Sequence, residues 1–114
     1  MPHITLEYSE SLKGHFELHT LLRRMHEELA SFPTVDKHKI KTRAVALTDC
    51  IVGNDDDPDQ MMHVTVKLLE GRSVELRRTI GEALQKVVKS HLLSDLYCSV
   101  TVHILEMDRE TYAE

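Results

Sequence analysis

No apolar run in the 114 residues approaches the ~18 that a membrane-spanning helix needs, which excludes a helical anchor. The first residues, Met-Pro-His-Ile-Thr-Leu-Glu, carry neither the basic region nor the apolar stretch of a secretory signal, so a cytoplasmic protein is expected. A cationic excess is missing as well. Fourteen Lys and Arg against 19 Asp and Glu leave a formal net charge of −5, the opposite of the basic footprint that binds phosphate backbones. Nucleic acid and membrane are therefore not expected partners. Cysteine is scarce: Cys50 and Cys98 cannot build a disulfide framework, neither sits in an activating motif, and both read as small buried hydrophobes. There is no glycine-rich phosphate loop and no nucleophile elbow. The acidic stretch 53–59 lacks the alternating ligands, central glycine and terminal glutamate of a calcium-binding loop, and reads as a solvated connection.

What remains is ordinary globular composition, 41% hydrophobic and 29% charged, in a chain of single-domain length. It contains an internal repeat. Pro2-His3-Ile4-Thr5-Leu6-Glu7 reads against Met62-His63-Val64-Thr65-Val66-Lys67, each alternating apolar residues with His, Thr and a charge. Each alternating segment leads through a turn to an amphipathic helix and then to a second strand. The first helix starts between Ser11 and Glu17, buries Leu18, Leu21, Leu22, Met25 and Leu29, and stops at Phe32-Pro33, because proline disfavours helical geometry in the residue before it. The second is capped by Ser73 and buries Ile80, Ala83, Leu84, Val87, Val88 and His91 or Leu92. Strands are expected over about 40–47, extending at most to Val52, and over about 98–105.

These elements predict an α/β two-layer domain spanning 1–114, with pseudo-repeats at about 1–52 and 61–106. Two βαβ units form a four-stranded mixed sheet with both helices on one face. The alternation then leaves His3, Thr5, Glu7, Lys41, Arg43, His63, Thr65, Thr101 and His103 on the other face. An uncovered face on such a sheet points to an oligomer. His3, His63 and His103 share a strand parity, yet a metal site needs them to converge, and they read instead as polar residues at a subunit interface. No metal and no cofactor is expected.

Pro2 is the most informative position for chemistry. Removal of Met1 would leave a free secondary amine at the start of a strand. A free α-amine has a reference pKa of ~7.7–8.0, and burial or nearby cations lower it, because both disfavour the charged form. Such an amine is suited to general base work near neutral pH. With Met1 attached, Pro2 is a tertiary amide without a basic lone pair.

Met1-Pro2-His3-Ile4, Glu7-Tyr8-Ser9, Ile40-Lys41-Thr42-Arg43 and Gly71-Arg72-Ser73-Val74-Glu75 together resemble the 5-carboxymethyl-2-hydroxymuconate isomerase family of the tautomerase superfamily. The resemblance covers most of the chain and weakens after Leu105, and Gly-Arg-Ser-x-Glu with its spacing to Arg43 is its most specific part. It implies a homotrimer, whose assembly would cover the open sheet face. It also implies a cofactor-independent isomerisation of an unsaturated 2-hydroxy polyacid to its 2-oxo isomer, a step in homoprotocatechuate degradation. Pro2 would then be the catalytic base and acid. Arg72 would be the leading partner for a substrate carboxylate or enolate, with Arg43 and Lys41 as further binding candidates. Physics agrees with those roles: a polyanionic substrate needs a local cationic pocket on a −5 chain, and arginine offers carboxylates a planar fork. Lys41 stands where relatives carry arginine, keeping the charge without the fork. A tautomerase of another acid such as phenylpyruvate, or a non-catalytic trimeric interaction protein on the same fold, fits the same sequence.

Overall fold

A computed structural model of the chain describes residues 2–54, 60–93 and 97–114. Met1 and five of the seven residues of the acidic connection, including Asp55 and Pro58, lie outside that set. Strand β1 (His3–Ser9) passes through a 3-10 turn at Glu10–Leu12 to helix α1 (Leu18–Ala30), and a second 3-10 turn at Lys37–Lys39 leads into β2 (Lys41–Leu47). The second half repeats the order with β3 (Met61–Leu69), α2 (Val74–Ser90) and β4 (Ser99–Met107). The sheet order is β2-β1-β3-β4. Each half pairs its two strands in parallel, and the halves meet through the antiparallel central pair β1 and β3. The expected mixed sheet is what forms.

Strict alternation decides which way this sheet faces. Ile4, Leu6, Met62, Val64, Val66 and Leu68 are fully buried, and the residues between them remain partly or fully open. Leu21, Met25 and Leu29 of α1, with Ile80, Leu84 and Val88 of α2, close over the apolar face without residual exposure. Leu18, Leu22 and Leu76 pack at the margins of the same core. Opposite them, His3, Thr5 and Glu7 of β1 align with Lys41, Arg43 and Val45 of β2 and with Lys67, Thr65 and His63 of β3. Val45 is 48% exposed on this face.

Local signals explain most of the boundaries. Ser73 caps α2 by accepting from the Leu76 N–H at 3.1 Å, and Glu75 sits in the favourable first turn. Gly71, at a φ of 120°, makes the turn from β3 into that helix in a backbone region that side chains disfavour. At the far end, His91 is the C-cap rather than part of the apolar stripe, with Nδ1 2.8 Å from the Val87 carbonyl. The first helix differs from expectation. It starts at Leu18, because residues 10–12 form a separate 3-10 turn and Gly14 adopts a φ of 89°. Strand β2 stops at Leu47 and does not reach Val52. Both cysteines are half-buried rather than buried, and burial pushes the Cys98 thiol above its ordinary value, which leaves it a weak nucleophile. No helix among the described residues is long and apolar enough to cross a membrane.

Leu84 has no exposed surface. Leu84→Ala is expected to destabilise the fold by about 2–5 kcal/mol, read as a lower urea midpoint at unchanged m-value.

Candidate active site

Pro2 precedes β1 and is buried, with its carbonyl accepting from the Lys41 N–H at 3.0 Å. This contact extends the parallel β1–β2 ladder by one step and ties the proline to the start of β2. Because β3 runs antiparallel to β1, the C-terminal end of β3 lies at the same end of the sheet. The C-terminal end of β4 follows it, since Leu69 pairs with Met107. Four strand ends and the turns beyond them therefore meet around Pro2.

The open face next to Pro2 is cationic. His3 sits between Lys41 and Lys67 in register, and Arg43 lies one pair further along β2. The Arg43 Nη1 is 3.1 Å from His3 Nδ1, and the other ring nitrogen, Nε2, is 2.8 Å from the Tyr112 hydroxyl. Burial comes first, and then the charges of Arg43, Lys41 and Lys67, in holding the His3 pKa below its ordinary value of 6.5. His3 is therefore a neutral ring at neutral pH. Lys41 and Arg43 share one face of β2, as their parity requires, and both are exposed.

Arg72 occupies the turn after β3 and is held differently. Its Nη2 donates to the Thr34 carbonyl at 2.8 Å, Nη1 to the Leu69 carbonyl at 3.2 Å, and Nε to the Thr34 hydroxyl at 3.4 Å. The guanidinium thus ties the connection before β2 to the end of β3. Three of its five N–H donors are engaged in this way, which leaves two for an incoming anion. Burial, and then the Arg109 charge, push Arg72 below its ordinary value, although a guanidinium remains protonated at any working pH. Around it, Arg77 Nε donates to the Arg72 carbonyl at 3.4 Å and Arg77 Nη1 lies 3.4 Å from Glu106 Oε1. The structure thus gathers Lys41 and Arg43 on the open face and assigns Arg72 a structural engagement that sequence spacing did not suggest.

The C-terminal tail is the part the sequence did not single out. Arg109 binds Glu70 twice, from its backbone N–H to Oε2 at 2.8 Å and from Nη2 to the carbonyl at 3.0 Å. Lys39 Nζ lies 3.6 Å from Glu114 Oε1. Tyr112 reaches His3 from 109 positions away. No local periodicity signals such a contact.

The three histidines of shared parity do not converge. His3 pairs with Lys67, whereas His63 pairs with Glu7 and hydrogen-bonds Thr101 at 2.6 Å. His103 pairs with Thr65, one step from each. Among the described residues, no group of three His, Cys, Asp or Glu side chains is placed to hold a metal ion. The grooves between α2 and β4, between the two helices and beside α1 are lined by none of Pro2, Lys41, Arg43 or Arg72.

A family model described as 5-carboxymethyl-2-hydroxymuconate isomerase matches residues 2–113. The chain is 26% identical over 91 residues to the 5-carboxymethyl-2-hydroxymuconate Delta-isomerase of Escherichia coli, covering 80% of this chain and 72% of that protein. Among solved structures, a 5-carboxymethyl-2-hydroxymuconate isomerase from Deinococcus radiodurans R1 superposes with a TM-score of 0.87 at 24% identity, over 99% of this chain and 87% of the other. A protein described as a fused 4-OT symmetric trimer superposes at 0.74 with 13% identity, over 95% and 88% of the two chains. Likenesses this distant in sequence show a shared tautomerase fold.

Two outcomes test this geometry. Arg72→Ala removes the bonds to the Thr34 and Leu69 carbonyls, which water can reach, and is expected to cost about 0.5–1.5 kcal/mol of stability in urea; an unchanged midpoint would contradict the anchoring role. The lowered His3 pKa means that the unfolded chain takes up this proton first as pH falls. Stability is therefore lost from about pH 6.5 down through the folded value. His3→Gln should flatten the fall in urea midpoint between pH 7 and 5 relative to the parent, whereas an identical slope would show that His3 is not perturbed.

Proposed function

The chain belongs to the 5-carboxymethyl-2-hydroxymuconate isomerase family and is an isomerase, and on that premise we propose that it converts 5-carboxymethyl-2-hydroxymuconate, or a closely similar unsaturated 2-hydroxy polyacid, to the 2-oxo isomer. Pro2, freed of Met1, is the proton carrier. Its amine takes the proton from the 2-hydroxyl group of the dienol, and the oxygen's electron pair forms the carbonyl. The double bonds shift along the chain, and the prolinium returns the proton to carbon. One O–H bond is lost and one C–H bond gained, with no net redox change and no cofactor.

The observation that carries this reading is the setting of Pro2, buried at a strand end whose open face presents Lys41, Lys67 and Arg43 together. Burial and positive potential both favour the neutral amine, which is the form that accepts a proton. The same cations attract a polyanion to a chain whose net charge of −5 would otherwise repel it. Binding and base strength are thus tuned by one field. Within it, Lys41 and Arg43 hold substrate carboxylates, and Arg72, in the turn after β3, offers its two remaining N–H donors to the 2-oxo or carboxylate oxygens.

In this reading the polar open face is covered by two further copies of the chain, completing sites near each Pro2. Support comes from the exposed Val45 among the polar residues of that face and from the trimer named among the fold's relatives. A homotrimer in the cytoplasm, taking part in aromatic-compound catabolism, fits this arrangement.

Pro2→Ala, with removal of Met1 verified by intact mass, is expected to lower kcat on the muconate substrate by about 10²–10⁴-fold. It should leave the sedimentation coefficient of the trimer unchanged. Undiminished turnover would remove proline from the mechanism. Against a panel that includes phenylpyruvate, kcat/KM is expected to favour the polyacid, and the reverse order would reassign the substrate.

A further inference from the structure

The hydrogen-bonded chain that runs from Arg43 through His3 to Tyr112 has a direction, and the direction follows from donor chemistry alone. A guanidinium has no acceptor, so the 3.1 Å contact from Arg43 Nη1 fixes His3 Nδ1 as the ring nitrogen with the lone pair. The neutral ring then carries its proton on Nε2 and donates it across 2.8 Å to the Tyr112 oxygen. Tyr112 is the acceptor in that bond. Its own O–H is left to donate elsewhere, and among the described residues it has no other partner.

The tail that carries this hydroxyl is fastened on both sides of it. Before it, Arg109 binds Glu70, and Thr111 and Tyr112 close a turn on the Asp108 carbonyl, each at 3.2 Å. After it, Glu114 meets Lys39. The Tyr112 and His3 rings pack edge to face, with centroids 5.9 Å apart at 77°, which holds the phenol in place beside the residue that follows Pro2. Among the described residues, the charges that act on His3 are those of Arg43 and Lys41 from β2 and Lys67 from β3, all cationic. A hydroxyl with an unengaged proton in such surroundings is suited to an anionic oxygen.

We propose that the Tyr112 hydroxyl donates a hydrogen bond to an oxyanion of the substrate, so that the C-terminal tail supplies a binding group to the site around Pro2. The inference rests on the isomerase reading given above and adds a residue to it. Arg43 and His3 act behind the tyrosine as positioning residues, orienting its oxygen and polarising its proton. The oxyanion is a carboxylate or the dienolate oxygen, and kinetics separate the two. A carboxylate contact is made equally in ground and transition states, so its loss raises KM at constant kcat. A contact that strengthens on the dienolate lowers kcat.

The test is Tyr112→Phe in the full-length, N-terminally processed protein, assayed on 5-carboxymethyl-2-hydroxymuconate beside Pro2→Ala. The variant keeps the ring that packs on His3 and removes one oxygen. It is expected to lower kcat/KM by about 10- to 100-fold, the range for a hydrogen bond to a charged group. Thermal melting is expected to fall by a few degrees, because the His3 Nε2–H loses its acceptor, so the assay is run well below the variant's midpoint. A kcat/KM within twofold of the parent, with Pro2→Ala inactive, overturns the tyrosine contact and leaves the proline mechanism standing. A loss in Tyr112→Phe alongside an active Pro2→Ala keeps the tyrosine contact and removes the proline. His3→Ala provides the check on the chain behind it: in that background Tyr112→Phe should cost less than in the parent. Fully additive losses would contradict the polarised relay.

Discussion

The antiparallel pairing of β1 with β3 is the constraint on which the molecule depends. Among the described residues it is the one strand pairing that joins the two halves, and its register sets Ile4 against Val66 and Leu6 against Val64 on the buried side. With a side-chain period of two, the same register necessarily brings His3 opposite Lys67 on the other side. A slip of one residue would turn the core outward and disperse the cations. Core and candidate site are therefore specified together, and the apolar residues that stabilise the sheet also fix the spacing of the charges around Pro2.

The local signals in the sequence translated well where a short-range rule governed them. Ser73 caps α2, Leu21, Met25 and Leu29 form the buried stripe of α1, and alternation sorted His3, Thr5 and Glu7 from Ile4, Leu6 and Tyr8. What was illegible depended on distance along the chain. Arg72 looked like a turn arginine free to bind anions, yet it bonds the Thr34 carbonyl 38 positions away. The Tyr112–His3 contact joins the two ends of the chain. The first helix, expected to start between Ser11 and Glu17, starts at Leu18, because Gly14 at positive φ separates a 3-10 turn from the helix proper. The candidate site was thus half visible: its residue types and strand parity were readable, but their partners were not.

Electrostatics connects the fold to the proposed chemistry. An acidic chain concentrates Lys41, Arg43 and Lys67 on one open patch. Burial there disfavours charge on His3 and would act on a prolyl amine at the adjoining position in the same direction. Glu70, Glu106 and Glu114, which lie at the same end, are each engaged by Arg109, Arg77 or Lys39. These pairings hold the surrounding turns and tail in place while the cations of the open face remain turned toward whatever docks there.

The proposed chemistry requires Pro2 to work as a free amine whose basicity is set by this surrounding field. A direct test is the pH titration of the Pro2 nitrogen by NMR, in protein labelled with ¹⁵N-proline and expressed without a tag. A single titration is expected, with a pKa below the ~7.7–8.0 of an ordinary α-amine. A nitrogen that does not titrate, as in a Met1–Pro2 amide, or one whose pKa lies at or above that range, would contradict it.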